Sequence, residues 1–160
     1  MLNRRVLALA LVAIAIAGCA SGPSPVSVAD TLAQTPSLSM FNGLIAQTGL
    51  PVILQGSGPF TVFAPSNEAF KLVPPQTLED LRQNPEKLKN VLAFHIIQEK
   101  LTATEIRNSS VKTLNGANVA LSKAGDFVTI EEAMVQKADI QATNGVIHII
   151  DNVLIPPHKK

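Results

Sequence analysis

From residue 58 the chain reads Gly58-Pro59-Phe60-Thr61-Val62-Phe63-Ala64-Pro65-Ser66-Asn67-Glu68-Ala69-Phe70, which joins a turn, a strand and a helix start. The glycines and proline of residues 56–59 favour a turn. The run from Phe60 to Ala64 is rich in residues that favour strands, and Pro65 ends it because proline has no N–H to donate. A helix is expected from about Asn67, so this stretch predicts a fold that mixes strands and helices.

The segment before this stretch has the spacing of packing helices. Ser27 or Asp30 can cap a first short helix, because both residue types accept hydrogen bonds from free backbone N–H groups. Ser37 can cap a second helix, which Gly49 and Pro51 are expected to end. The apolar residues of this second helix recur at helical intervals at Leu38, Phe41, Leu44 and Ile45.

Further helices are expected after the opening stretch. Residues 77–82 favour a short helix, and Asn84-Pro85 has the form of a cap followed by proline at the first helical position. The next helix then covers residues 86–95, with an apolar face that ends in His95. Thr102-x-x-Glu105 matches a capping box and predicts one more short helix.

From Val111 onward the hydrophobic period changes to two, which indicates strands. Residues 111–114 and 117–121 flank Asn115-Gly116, a pair typical of a type I′ hairpin turn. After a turn at 123–126, further strands are predicted at residues 127–130, 134–142 and 146–154. Helices first and strands later predict an α+β fold with an antiparallel sheet.

The N-terminus is predicted to be an export signal. Arg4 and Arg5 are followed by an apolar run at residues 6–17. This run has the length of a signal segment and is too short for a membrane span, which needs roughly 20 residues. Ile16-Ala17-Gly18-Cys19 resembles the lipobox of bacterial lipoproteins, so residues 1–18 are expected to be cleaved and Cys19 to carry lipid. An ordinary secretory signal and a short membrane anchor are the alternatives.

The remainder is expected to be one domain held near a membrane by its lipid. Cys19 is the only cysteine, and lipidation explains an odd cysteine in an exported protein. Residues 19–27 are read as the lipidated cysteine and a short tether, 28–157 as the domain and 158–160 as a tail. Ala20 favours the outer membrane, facing the periplasm or the cell surface.

The charge of the mature chain argues against nucleic acid as a partner. Removing residues 1–18 leaves 11 basic residues from the 13 of the whole chain, against 12 acidic ones, which gives a formal charge of −1. Nucleic-acid binding requires a basic patch or stripe, and this composition does not supply one.

Three segments carry a family resemblance. Residues 58–70 resemble the first characteristic block of fasciclin domains, and residues 142–156 resemble the second. Between them, residues 91–97 lie where that family has its central Tyr-His motif. The resemblance covers about Val28 to Pro156. It implies an extracellular wedge of strands and helices used for adhesion or protein–protein contact.

The chain departs from the family at two places. Phe94 stands where the family usually has tyrosine, so a role that needs the phenolic hydroxyl is absent, while His95 is retained. In residues 137–140 only Asp139 and Ile140 match the integrin-binding motif of animal adhesion members. The resemblance therefore does not imply integrin binding here.

Four further residues are candidates for an interaction surface or for a structural role. His95 can contribute to a binding surface or change charge near neutral pH, or it can be a buried neutral imidazole bonded to backbone. His148 alternates with apolar neighbours on a strand and has the same two interpretations. Asn144-Gly145 is most simply a tight turn into the final strand.

The sequence patterns do not predict an enzyme. Ser57 lacks the glycines that a nucleophile elbow places two residues away on each side, and no phosphate-binding loop occurs. His95, His148 and His158 have no metal-ligand spacing, so no metal and no cofactor are expected. Three functions stay open: adhesion through an envelope or extracellular protein or polysaccharide, carriage of a lipophilic small molecule, and envelope hydrolysis.

Overall fold

The computed structural model describes residues 26–157. The predicted signal peptide, the lipidation of Cys19, nearly all of the tether and the tail at 158–160 lie outside the described residues. The helices are α1 (Val28–Gln34), α2 (Ser39–Ala46), α3 (Leu50–Leu54), α4 (Asn67–Lys71), α5 (Pro75–Gln83) and α6 (Pro85–Phe94). The strands are β1 (Phe60–Pro65), β2 (Ile96–Ile97), β3 (Ser109–Lys112), β4 (Asn118–Ala124), β5 (Phe127–Ile130), β6 (Ala133–Ala142) and β7 (Gly145–Ile150).

The first helices begin close to the predicted positions, with one different cap. Ser27 caps α1 as predicted, because a serine hydroxyl can satisfy a free N–H of the first helical turn. The hydroxyl accepts a hydrogen bond from the N–H of Asp30 at 3.2 Å. The predicted cap at Ser37 is wrong: Pro36–Leu38 forms a turn of 3₁₀ helix, and α2 follows it directly. α2 ends before Gly49 as predicted, and α3 begins immediately after that glycine.

Two other predicted caps make hydrogen bonds of a different kind. Asn84 precedes α6, yet its carboxamide donates to the carbonyl of Asp80 at 2.8 Å instead of capping α6. Thr102 N–H donates to the Glu105 carboxylate at 2.9 Å, as in a capping box, and this bond lowers the pKa of Glu105. The segment nevertheless forms a single turn and not a helix, closed by a hydrogen bond from the N–H of Ile106 to the carbonyl of Thr102 at 3.0 Å, while the N–H of Ala103 donates to Asp139 on β6.

The strands form one seven-stranded sheet in the order β2-β1-β7-β6-β5-β4-β3. The α+β class is confirmed, but the predicted antiparallel sheet is wrong in one respect, because β1 and β7 pair in parallel from Phe60↔Gly145 to Pro65↔Ile150. The sheet is therefore mixed. Hairpin signals are local in sequence and could not show that an early strand pairs with the last one.

The sheet curls until its two edges meet. Ile97 of β2 forms a bridge with Thr113, just after β3, and the N–H of Leu114 donates to the carbonyl of Ile96 at 2.7 Å. The contact gives both edge strands hydrogen-bond partners at one point, which limits edge-to-edge association. The β3–β4 turn is not type I′ as predicted, because the N–H of Gly116 donates to the carbonyl of Thr113 at 2.9 Å, which makes Leu114 and Asn115 the central residues, and neither has the positive φ that a type I′ turn needs.

Two hydrophobic clusters stabilise this arrangement. The first packs α1 to α6 against β1 and β7, with Phe41, Leu54 and Ile147 fully buried. The second fills the curled sheet and includes Phe63 and Phe94. β7 ends at Ile150 and not at residue 154 as predicted, because the following residues leave the sheet to contact α6.

Candidate functional site

His95 joins three parts of the fold through its side chain and backbone. It is fully buried at the end of α6, and its Nδ1 lies 2.8 Å from the carbonyl of Val91. The N–H of Leu154 donates to Nε2 at 3.0 Å. Nε2 is therefore the acceptor, and Nδ1 carries the proton. The carbonyl of His95 accepts from the N–H of Phe63 on β1 at 2.9 Å.

Burial keeps the His95 imidazole neutral. Removal from water disfavours the charged form and lowers the pKa of His95 to about 4, although the bond to Val91 opposes this shift. The ring of Phe41 lies 5.7 Å from the imidazole between centroids. At neutral pH the His95 imidazole thus contributes to packing and to hydrogen bonding with the backbone.

His148 has a comparable role on β7. Its Nε2 lies 2.7 Å from the carbonyl of Leu101, and its Nδ1 accepts from the N–H of Asp139 at 3.3 Å. The side chain is fully buried and stacks on Phe63 with 5.1 Å between ring centroids. Burial lowers the pKa of His148, while the Leu101 bond and the negative charge of Asp139 oppose the shift.

Asp139 and Ile140 lie in an irregular part of β6. Asp139 has φ of 58°, and the register of β6 with β7 shifts between Lys137 and Ile140. The Asp139 carboxylate accepts from the N–H of Ala103 at 2.8 Å, and Ile140 packs against the first hydrophobic cluster. Both residues thus have structural contacts within the domain.

Asn144 forms long-range hydrogen bonds in addition to its role in the turn. Its Oδ1 accepts from the N–H of Val28 at 2.8 Å, and its Nδ2 donates to the carbonyls of Leu54 at 2.7 Å and Gly56 at 2.6 Å. One carboxamide therefore joins α1, α3 and the start of β7. The end of the domain around Val28, Leu54, Gly58 and Asn144 is called the entry end below.

Gly145 permits the close approach of β7 to β1. A Cβ at this position would overlap the carbonyl of Phe60, because the two parallel strands meet here. The N–H of Phe60 also donates to the carbonyl of Asn144 at 3.0 Å. Spacing alone identifies Asn144-Gly145 as a turn, whereas these long-range contacts depend on the tertiary fold.

Phe94 lies in the second hydrophobic cluster and is 2% exposed. It also contributes to the wall of a surface cleft of about 410 Å³ beside the C-terminal segment. Glu131 and Glu132 line the same cleft. Phe94 is therefore a core residue that also forms part of the wall of this cleft.

Other clefts lie along α6. One of about 580 Å³ separates α6 from α3 and is lined by Ile53, Lys89 and Asn115 among others. Another of about 410 Å³ lies between α5, α6 and the C-terminal segment, where Leu81, Val91 and other apolar residues form much of its wall. All of these clefts open to solvent and therefore offer surface grooves.

The strands β4, β5 and β6 present an outer face that the sequence patterns did not single out. Alternate residues such as Val128 and Ile130 point into the second cluster, so the residues between them point outward. The outer face consists of Ala120, Ser122, Ala124, Phe127, Thr129 and Met134. None of these six side chains ionises, and Phe127 and Met134 are 66% and 44% exposed. The Glu131 carboxylate lies at the margin of the face, where it accepts from the N–H of Ala120 at 2.6 Å. Neighbouring large apolar side chains that are exposed are typical of contact sites.

Within residues 26–157 no group of His, Cys, Asp and Glu has the arrangement of a metal site. Every buried polar side-chain atom in this part of the chain has a hydrogen-bond partner. The same range holds no helix of the length and hydropathy needed to cross a bilayer. His158 lies outside the described residues.

Comparison with known proteins agrees with the fold and with the motifs described above. The model of the fasciclin domain matches residues 36–156, which is most of the chain and nearly all of the described domain. The chain belongs to the fasciclin family. The two blocks that carry the family motifs contain β1 and β7, which pair in parallel.

Relatives of this fasciclin domain occur in bacteria and animals. Protein sll1483 of Synechocystis sp. is 34% identical over 145 residues, which cover 89% of this chain and 81% of the relative. The transforming growth factor-beta-induced protein ig-h3 of Sus scrofa is 40% identical over 118 residues, which cover 72% of this chain but only 17% of that protein. A solved FAS1 domain pair from the insect cell adhesion molecule Fasciclin I has a TM-score of 0.65 and 19% identity, covering 82% of this chain and 51% of the other.

Proposed function

We propose that the chain is a lipid-anchored extracytoplasmic fasciclin domain that mediates adhesion or contact with an envelope or extracellular protein or polysaccharide. The observation that carries the proposal is the family match over residues 36–156. A structural relative with the same fold is an insect cell adhesion molecule, which supports a contact function. Adhesion and interaction require a stable surface and no reactive group.

The proposed anchor comes from the sequence outside the described residues. Residues 1–18 have the pattern of an export signal, and Cys19 follows a lipobox-like segment. Two acyl chains give stable membrane attachment where one gives only marginal binding. Ala20 favours the outer membrane in bacteria that have one. The domain at residues 28–157 would then face the periplasm or the cell surface.

The outer face is the surface that best fits a partner. Its six side chains are small or apolar, so a partner that covers its centre displaces few ordered water molecules from charged groups, and the exposed Glu131 carboxylate at its margin can keep its contact with water. Short side chains also lose little conformational entropy on contact. Phe127 and Met134 supply the large apolar area expected of a binding centre.

The described histidines support a binding function over catalysis. A general base needs a nitrogen that can reach a substrate proton. Both ring nitrogens of His95 and of His148 contact backbone groups of the domain, and both rings are fully buried. An envelope hydrolase is therefore the weakest of the three functions, and a substrate screen with purified protein tests it.

A crosslinking pull-down from native envelope tests the proposal. The unaltered chain is compared with Cys19→Ala, and Ser21→Ala serves as a matched control because it leaves Cys19 in place. We expect a specific protein or glycan to be captured with the unaltered chain and with Ser21→Ala and to be lost with Cys19→Ala. The proposal would be contradicted if deletion of the whole chain left cell attachment, cell aggregation and envelope complexes unchanged.

A second candidate function is carriage of a lipophilic small molecule. The mainly apolar cleft of about 410 Å³ between α5, α6 and the C-terminal segment favours this alternative. Organic extraction of the purified protein followed by mass spectrometry would detect such a molecule. A ligand-free preparation would argue against carriage and leave the adhesion proposal in place.

A further inference from the structure

The entry end of the domain is built from a long uncharged stretch. Between Asp30 and Glu68 the chain contains no ionisable side chain. This stretch forms α2, α3 and β1 and most of α1. On α3, Val52 and Ile53 are 76% and 38% exposed. Residues of these two types are among those that folded proteins most often bury.

α3 lies beside the point where the chain enters the domain. The carboxamide of Asn144 contacts Val28 at the start of α1, together with Leu54 and Gly56 at the end of α3. The carbonyl of Val26 accepts from the N–H of Thr143 at 2.9 Å. The first described residues and the end of α3 therefore surround one side chain.

The distance from the proposed lipid is short. Val26 follows Cys19 by seven positions in the sequence. A fully extended segment of that length spans at most roughly 25 Å. A lipid on Cys19 therefore holds the entry end within that distance of the bilayer surface.

From these three observations we infer that α3 rests on the bilayer, with Val52 and Ile53 in the interfacial region of the leaflet that holds the Cys19 lipid. The inference rests on the lipidation of Cys19 proposed above. It adds an orientation, because the entry end faces the membrane. Exposed apolar side chains on an interfacial helix are stabilised by the boundary between headgroups and acyl chains.

The contact is expected to be apolar and not electrostatic. Asp30 lies close to the entry end, and Glu99 and Lys100 lie near the start of β1, where the Thr61 hydroxyl donates to the carbonyl of Glu99 at 2.6 Å. Across the cleft from Ile53, α6 contributes Glu86, Lys87 and Lys89, which carry charges of both signs. Attraction to anionic lipids requires a cluster of basic residues. Contact should therefore be equal on zwitterionic and anionic vesicles and insensitive to salt.

Tryptophan fluorescence tests the orientation, because the chain contains neither tryptophan nor tyrosine. The lipidated full chain carrying Val52→Trp is reconstituted into phosphatidylcholine vesicles with brominated acyl chains. Leu72→Trp is the matched control: Leu72 is 73% exposed, and it follows α4 at the opposite end of β1. Ile53→Trp is a second probe if Val52→Trp disturbs the fold, which circular dichroism checks.

We expect Val52→Trp emission to shift to shorter wavelength and to be quenched by bromine, and Leu72→Trp emission to be unaffected. Equal quenching of both probes would overturn the orientation. Quenching of neither probe would also overturn it, provided that mass spectrometry shows Cys19 to be acylated. Both outcomes would leave the proposed anchor in place. Quenching that occurs only with anionic vesicles would also overturn the apolar contact. An unmodified Cys19 in protein that fails to float with vesicles would instead remove the proposed anchor, and the orientation with it.

Discussion

Single buried side chains determine how this domain responds to pH. His95 and His148 each satisfy backbone groups with both ring nitrogens, and burial lowers both pKa values. A neutral imidazole can donate at one nitrogen and accept at the other, whereas an imidazolium can only donate. Protonation would therefore place a ring N–H against the backbone N–H of Leu154 at His95, and against the backbone N–H of Asp139 at His148, so that both hydrogen bonds would be lost.

The first prediction is that the domain loses stability as the pH falls from about 6.5 to about 4. The unfolded chain protonates His95 near a pKa of 6.5, while the folded chain resists protonation until about 4. The folded state therefore binds fewer protons in this window. The free energy of unfolding should be about 2 kcal/mol lower at about pH 5 than at about pH 7.5. Urea denaturation across this range measures it.

His95→Gln is the corresponding control, because glutamine can donate and accept but does not titrate. This variant should be less stable near neutral pH and should lose the part of the acidic slope that His95 contributes, while His148, whose pKa burial also lowers, keeps its own part. An NMR titration of the unaltered chain gives an independent measurement. An imidazole of His95 that protonates with its ordinary pKa in the folded state would contradict the prediction.

The second prediction compares two glycines. A Cβ at Gly145 would overlap the backbone carbonyl of Phe60, whereas a Cβ at Gly43 in α2 would meet no atom. Gly145→Ala should destabilise the domain by roughly 2 kcal/mol, because the paired strands cannot separate locally to make room. Gly43→Ala should stabilise it by about 0.5 to 1 kcal/mol, because alanine favours helix. Thermal unfolding of both variants gives the comparison, and equal effects at the two positions would refute the role assigned to Gly145.

At the scale of elements, one side chain connects segments that are far apart in sequence. Asn144 joins α1, α3 and β7 through three hydrogen bonds to backbone groups. A hydrogen bond that leaves a buried partner unsatisfied when it is removed has a larger effect than its own net strength. The Asn144 carboxamide should therefore contribute more to the free energy of unfolding than the side chain of an ordinary turn residue.

The third prediction is that Asn144→Ala lowers the free energy of unfolding by roughly 2 to 4 kcal/mol, since the N–H of Val28 and the carbonyl of Leu54 lose a partner, while the exposed carbonyl of Gly56 can bond to water. Asn84→Ala is the control, because Asn84 bonds only to exposed groups of Asp80 four residues away. In that variant the free energy of unfolding should fall by less than about 1 kcal/mol. Denaturant unfolding with both variants measures the difference. A similar small loss in both would show that Asn144 is only a turn residue.

Element positions were largely predictable, and the segment after Thr102 is an exception. The strand at Phe60 to Ala64 and the hairpin strands around Gly125 follow from local patterns. The capping bond between Thr102 and Glu105 forms as predicted, but the segment makes a single turn and no helix. A capping pattern indicates where a helix can begin and does not determine whether the helix continues.

At the scale of the whole molecule, the long strands separate two ends with different surfaces. β7 runs from Gly145 at the entry end to Ile150, and β5 pairs with β6 only at residues 133 and 134, beyond the Val135↔Ile150 pair. The part of the outer face formed by Thr129 and Met134 therefore lies away from the entry end. A domain anchored near Val26 would hold that face toward a partner and not toward its own membrane.

The fourth prediction concerns this separation. Phe127→Asp combined with Met134→Asp should reduce partner capture at least about tenfold, because a charge in the centre of an apolar contact is unfavourable. The melting temperature should change little, since both side chains are exposed. Leu72→Asp, at an exposed apolar position on the helical side, is the control and should leave capture unchanged. Capture that persists in the double variant would exclude the outer face as the contact site.

The sequence by itself determined the α+β class, most element positions and membership of the fasciclin family, because these depend on local hydrophobic period, turn chemistry and the order of two motif blocks. It also predicts the lipid anchor, which lies outside the described residues. The tertiary structure alone decided the parallel pairing of β1 with β7, the curled sheet and the roles of Asn144 and Gly145. Those features depend on contacts between residues far apart in the chain, and such contacts have no local signature in a single sequence.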